Sequence, residues 1–349
     1  MKRITVAAAL AFALLAVLEV ALRLAGYSAP ELHQLDADLG WSLRAHKRGS
    51  HAGEAGRTGF IINAAGFRDR EHTLDKPDPV YRIAVLGDEY SEAMGVRLAD
   101  TWWLQLEPKL RHCDFKPGRL VEVLNFGVAG YGTAQELVLL QKTVMRYAPD
   151  LVVLQFSNRD DVIDNSFALT PYKLRPFYFL DAHGVPRIDE SFAGSATFER
   201  RMQTRYRLLA EIADHTRAFQ LARDLARETF IAPAHAEEAP LGAPADALHE
   251  DAWRVTEALI ARIADYARRN GADTAVVAVP HVRQLGEAMA YADQRLAALG
   301  ERLAVPVIAL GRDLASSHYR SSGEWTSEGH RAAAAAIVRR LCPATPQPG

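Results

Sequence analysis

Tyr81-Arg82-Ile83-Ala84-Val85-Leu86 runs directly into Gly87-Asp88-Glu89-Tyr90-Ser91-Glu92-Ala93, a short apolar run closed by a glycine and a polar turn. Four more runs of this kind follow at Val121–Asn125, Leu151–Phe156, Thr274–Val279 and Val305–Leu310. Each is rich in Val, Ile or Leu without strict alternation, the pattern of strands buried on both faces. Helical periodicity separates them near 101–112, 133–147, 249–270, 282–299 and 327–341. Strand and helix in alternation predict a three-layer α/β/α sandwich around a five-stranded parallel sheet. Ligands of such sheets gather at the carboxyl ends of the strands, so the turns after them hold the candidate site.

Four blocks stand at those turns. Gly87–Ala93 follows the first strand, and Asn125-Phe126-Gly127-Val128-Ala129-Gly130-Tyr131-Gly132-Thr133 follows the second. Asn158-Arg159-Asp160-Asp161-Val162-Ile163-Asp164-Asn165 follows the third, and Ser321-Ser322-Gly323-Glu324-Trp325-Thr326-Ser327-Glu328-Gly329-His330 precedes the last helix. In order and context these blocks resemble the SGNH/GDSL hydrolases, α/β/α esterases and acyl transferases, from about Tyr81 to Leu341. The resemblance implies a serine nucleophile in the first block and an oxyanion hole from a glycine and an asparagine. It also implies a late Asp-x-x-His pair. Here the serine position is Glu89, the asparagine position Asp160, the histidine position Glu324 and the aspartate position Ser321 or Ser322. Gly130 keeps the glycine. A hydroxyl is a poor nucleophile until a base takes its proton, so a Ser–His–Asp mechanism has no parts to run on at these positions. Ser91 lies two residues into the turn, and His330 lies six residues past the histidine position, where a structural role is expected.

The replacements are all acidic. Carboxylates packed into one cleft repel, so one keeps its proton near neutral pH or the group takes a cation. Glu89, Asp160 and Glu324, with Gly130, are therefore the candidate catalytic set, either as the acid/base pair of glycoside cleavage or in group transfer. Asp88, Tyr90, Asn158, Arg159 and His281 are candidate substrate contacts, Arg159 also as a neutralising charge. No metal or other cofactor is expected, with a divalent cation on Asp88 and Asp161 as the open alternative, since hard cations take oxygen ligands. The resemblance implies an envelope glycan or acylated saccharide as partner. Two functions stay open: an enzyme acting on glycosyl or acyl groups, or a non-catalytic pseudo-esterase that binds polysaccharide or serves a polysaccharide-modification complex.

The N-terminus sets the compartment. Met1-Lys2-Arg3 precedes fifteen uncharged residues, Ile4–Leu18, and the apolar stretch to Ala25 has the length of a spanning helix. Glu19 and Arg23 stand four apart and can pair on a helix. Basic residues before the stretch predict a cytoplasmic N-terminus and a periplasmic domain, as an uncleaved signal-anchor in the inner membrane; a cleaved signal peptide is the alternative. The remaining composition of the 349 residues excludes other classes. With 49% apolar residues and a net charge of −2 the chain is neither disordered nor a nucleic-acid binder, and no nucleic acid is expected as partner. Two cysteines, Cys113 and Cys342, each lie just beyond an apolar helix; they either bond or stay as buried thiols. The organisation expected is an anchor at 1–29, an irregular lead-in with room for a hairpin at 30–76, one α/β domain at 77–342 with an insertion near 165–248, and a disordered tail at 343–349.

Overall fold

The computed structural model describes residues 2–54, 56–158, 160–226, 242–243, 246–285 and 290–342. The chain starts with helix α1 (Lys2–Leu24), whose apolar side chains are exposed, Ile4 and Phe12 each by 75%. Of α1, residues Arg3–Leu24 are long and apolar enough to cross a membrane or to serve as a signal sequence. Two antiparallel hairpins follow, β1 (His33–Asp36) with β2 (Gly40–Leu43) and β3 (Arg48–Gly53) with β4 (Gly56–Ile61). The lead-in at 30–76 thus contains two hairpins set in otherwise irregular chain.

The α/β domain continues with β5 (Val80–Leu86), the short α2 (Glu89–Glu92), α3 (Trp102–His112), β6 (Leu120–Asn125), α4 (Thr133–Lys142), β7 (Leu151–Ser157) and the short α5 (Asp161–Asp164). The excursion holds a hairpin, β8 (Phe177–Leu180) with β9 (Pro186–Asp189), and three helices, α6 (Ala196–Met202), α7 (Thr204–His215) and α8 (Arg217–Ala226). The chain returns through α9 (Ala247–Arg269), β10 (Asp273–Val279), α10 (Tyr291–Leu303), β11 (Val307–Ala309) and α11 (Ser327–Leu341). Arg159, most of the Ala/Pro/Glu linker and the 343–349 tail lie outside the described residues.

The five-stranded sheet is parallel throughout, in the order β11-β10-β7-β5-β6. In order of appearance within the sheet this is 2-1-3-4-5, a doubly wound arrangement. Alternate residues of each strand feed two cores. Ile83, Val85, Val121, Val123 and Val153 meet Trp102, Trp103, Leu106 and Ile337 of α3 and α11. Ala84, Leu86, Leu124, Val152 and Leu154 meet Leu137, Leu140, Leu259 and Ile263 of α4 and α9, with Leu296 of α10. Helices on both faces explain why the strands carry continuous apolar runs. The helix expected from residue 282 begins only at Tyr291: Pro280 lacks an amide proton, and the next residues form a 3-10 turn capped by His281, whose Nδ1 accepts the Arg283 amide at 3.0 Å.

Because α3 and α11 lie side by side, the residues just past their ends meet. Cys113 and Cys342 are disulfide-bonded, with Cα atoms 6.1 Å apart and positions separated by 229 in sequence.

A buried ionic cluster ties the segment before the sheet to β6. His72 contacts Glu122 at 2.8 Å and Asp69 at 3.0 Å, while Arg82 donates to Glu122 at 2.7 Å. Burial opposes charge on His72, but the two carboxylates outweigh it and raise its pKa from 6.5 to about 9. Glu122 is pulled down to about 2, chiefly by the His72 hydrogen bond. The raised histidine contributes stability that is complete below its unfolded value of 6.5 and lost as pH rises through 9. Melting temperature should therefore fall between these two pH values, and His72→Gln should flatten that slope. An unchanged slope in the variant would assign the pH dependence elsewhere.

Candidate functional site

The sheet order locates the site before any motif is consulted. From β5 the chain passes to β6 on one side and then to β7 on the other, so the crossovers diverge between β5 and β7. Crevices form at such switch points, beyond the carboxyl ends of the strands. Asp88 and Glu89 leave β5 there, and Asp160 and Asp161 leave β7.

The first block is a tight, buried turn. Asp88 caps α2, its Oδ1 accepting the Tyr90 amide at 2.9 Å. Its own amide donates to Gln155 Oε1, which also accepts the Ser91 hydroxyl at 2.9 Å. A Cβ on Gly87 would lie 2.4 Å from that Gln155 oxygen, so a larger residue would displace the Gln155 side chain from its bonds to Asp88 and Ser91. Ser91 is fully buried and its hydroxyl proton is directed to Gln155, which removes it from the crevice. Tyr90 packs on Trp325 and donates through its hydroxyl to Gly323 at 2.9 Å. That bond joins the first block to the last, and it places Tyr90 in the core rather than in the crevice.

Glu89 is 7% exposed, and its Oε2 accepts the backbone amide of Gly130 at 3.4 Å. Gly130 adopts φ +75°, a left-handed conformation that favours glycine and aims its amide at that carboxylate. Glu92, one turn further along α2, accepts the neighbouring Ala129 amide at 2.6 Å. Two successive amides of the second block thus end on two carboxylates of the first. Burial raises the Glu92 pKa to about 7; the Ala129 amide and Arg68 oppose the shift, and the charge of Glu324 adds to it. Glu324 itself is the most accessible of the acidic replacements, with a side chain 20% exposed. Arg320 pairs with it at 2.6 Å, and Ser322 approaches the same oxygen at 3.4 Å.

The third block is more deeply buried. Carboxylate oxygens of Asp88, Asp160 and Asp161 all lie within 4.8 Å of one another. Asp161 accepts the Ser157 amide at 2.8 Å, yet burial and then the charges of Glu136, Asp88 and Asp160 hold its pKa well above the usual carboxylate range. Burial likewise raises Asp164 to about 6, against the pull of its ion pair with Arg175 at 3.2 Å. Glu136 of α4 is also buried and pushed well upward by desolvation. Among the described residues neither of its oxygens has a hydrogen-bond partner. A proton or a hard divalent cation relieves such crowding, and the oxygen-only donor set fits Ca²⁺ or Mg²⁺. The upward shift of Asp161 is the proton's form of that relief.

The remaining candidates serve the framework. Asn158 donates to Asp293 at 3.0 Å and is buried. His281 is buried and caps the turn after β10. His330 accepts the Trp102 amide on Nδ1 at 3.3 Å, and burial lowers its pKa to about 3, so it is a neutral structural residue. The structure therefore gathers Asp88, Glu89, Gly130, Asp160 and Asp161 at the switch point and links the Glu324 loop to them through Tyr90. Arg159 lies outside the described residues. Glu92, Glu136, Gln155 and Arg320 escaped the sequence reading. The signal for Glu92 was its i,i+3 spacing from Glu89; for Gln155 it was a lone amide in a fully apolar strand, which needs a partner.

No protein-family model matches the sequence, and no curated protein matches it. Solved structures similar to the chain include TesA, at 14% identity over 74% of this chain and 97% of that one, with a TM-score of 0.41. A GDSL-like lipase from Bacteroides thetaiotaomicron is 14% identical over 76% and 91%, with a TM-score of 0.35. A lipase/acylhydrolase from Enterococcus faecalis is 14% identical over 75% and 95%, with a TM-score of 0.37.

Proposed function

We propose that this chain is a membrane-anchored, SGNH-hydrolase-like protein of the cell envelope whose site binds a polyhydroxylated ligand, a glycan or acylated saccharide, without acyl chemistry. The observation that carries this is the Gly130 amide donating to Glu89. An oxyanion hole works by directing donors at a position where negative charge develops. Here the protein's own carboxylate sits on that donor, so charge developing on a substrate would meet repulsion instead. Carboxylates are strong acceptors for sugar hydroxyls, and Glu324 is the accessible one. The disulfide supports a domain outside the reducing cytoplasm, and the exposed apolar α1 supports an anchor.

A second reading, cleavage or transfer of a glycosyl group by a carboxyl pair, is favoured by one observation. Glu92 with a pKa of about 7 stands near Glu324, which is paired with Arg320, and acid/base catalysis uses such unequal pairs. The full chain in neutral detergent separates the readings on a panel of envelope glycans. The binding reading expects saccharide affinity that drops on the order of tenfold in Glu324→Gln, one charge-assisted hydrogen bond being lost, with no turnover. Turnover abolished in Glu324→Gln supports the enzyme instead, and neither binding nor turnover sinks both. Metal content of the same preparation tests a cation on Asp88, Asp160 and Asp161.

A further inference from the structure

On the side of the molecule where α1 joins the domain, a cavity of about 320 Å³ is lined by Arg44, Lys47, Arg48 and Arg217 together with Glu211 and Asp214. Four cations face two acids. Asp214 pairs with both Arg44 and Lys47 at 2.7 Å, which uses one carboxylate for two positive charges. Arg217 donates to the neutral Gln220 at 3.1 Å. Among the described residues the exposed Arg48 guanidinium makes no hydrogen bond or ion pair. The cavity thus carries an excess of two positive charges, with His215 on its wall not counted.

Its position is fixed by the contacts of α1. Arg23 donates to the His215 carbonyl at 2.6 Å, Glu19 accepts the Ala218 amide at 2.9 Å, and Ala29 donates to Gln220 at 2.7 Å. Ser28, four residues past the end of α1, lines the cavity itself. The 22 residues Arg3–Leu24 span roughly 33 Å at 1.5 Å each, about the hydrocarbon thickness of a bilayer. With the apolar part of α1 before Glu19 in the membrane and Glu19–Leu24 against α7 and α8, the cavity lies at headgroup depth on the domain side. It also accounts for Glu19 and Arg23 in an otherwise apolar helix, since both fasten α1 to α7 and α8.

We infer that this cavity binds the headgroup of an anionic phospholipid, its phosphate held by Arg48 and Arg217. The inference rests on the membrane-anchored reading above. The shared chemistry is a phosphate anion; the location at the foot of the span selects the lipid as its source. A lipid held there would fix the rotation of the domain on the membrane, because the same residues clamp α1.

The full chain in neutral detergent is titrated with short-chain phosphatidylglycerol, short-chain phosphatidylcholine and inorganic phosphate. Phosphatidylglycerol should bind in preference to the other two, weaken on the order of fivefold in Arg48→Ala, and recover most of its affinity in Arg48→Lys. Arg48 is exposed and unpaired, so its removal leaves the fold intact. Equal binding of phosphatidylcholine, or no change in Arg48→Ala, overturns the site. Inorganic phosphate binding as tightly as the lipid overturns the lipid as its occupant. Intact mass of the chain extracted from membranes keeps the two levels apart. A chain beginning after residue 25 refutes the anchor, whereas a retained α1 without lipid preference refutes only the cavity's role.

Discussion

Replacing both cysteines, as Cys113→Ser with Cys342→Ser, should lower the unfolding free energy by roughly 5 kcal/mol in the chain-entropy account of disulfides. The bond closes a loop of 229 residues, nearly the whole α/β domain, and stabilisation of this kind grows with loop length. Domains of this size are stable by only about 5–15 kcal/mol, so the variant should be marginal at growth temperature. Urea unfolding of the full chain in a fixed detergent, oxidised against double variant, measures the difference. A loss of less than about 1 kcal/mol would contradict the chain-entropy account and assign the unfolded chain residual structure that already keeps the two cysteines close. Both single variants should resemble the double one, because each abolishes the same loop closure.

Arg68→Met should be nearly as costly, about 3–5 kcal/mol. Arg68 is buried and donates to three carbonyls of the turn that leaves α2: Glu92 at 3.1 Å, Ala93 at 2.6 Å and Val96 at 2.5 Å. Burial lowers its pKa to about 10, so it still carries its charge at neutral pH. The turn needs it. Ala93 ends α2 in the left-handed region at φ 54°, where a residue with a Cβ is strained, and nothing within α2 satisfies these carbonyls. Methionine fills similar volume but strips the guanidinium from all three carbonyls, of which Ala93 keeps the Val96 amide at 3.3 Å, and each unmatched buried acceptor costs about 1–3 kcal/mol. The effect reaches the site because Glu92 belongs to the same turn: saccharide affinity should fall together with stability. A stable variant with unchanged affinity would show that the turn holds its shape without the guanidinium.

The strands could be read because a sheet covered on both faces demands apolar runs; Leu151–Ser157, buried throughout, is the clearest. Their ends could be read because Gly87, Asn125 and Pro280 stop a strand for local backbone reasons. The disulfide stood as one of two options, since sequence placed each cysteine past a helix but not the helices beside each other. A hairpin in the lead-in was legible from its glycines, but its strands were not: Arg48–Gly53 and Gly56–Ile61 carry no continuous apolar face, and of them only Phe60 reaches the core. The positions of Glu89, Asp160 and Glu324 were visible as departures from a pattern. Their consequence was not, because it depends on which amide each carboxylate meets. Glu136 and Arg68 read as ordinary charged residues of a helix and a loop, and only burial gives them meaning.

The central claim is that a fixed carboxylate on the Gly130 amide removes acyl chemistry from this scaffold, and intact mass after exposure to a fluorophosphonate tests it most directly. Serine hydrolases are trapped by such reagents through an activated hydroxyl. The account predicts no added mass on the full chain, with Ser91 still donating to Gln155. A stoichiometric adduct mapped to Ser91 would contradict it.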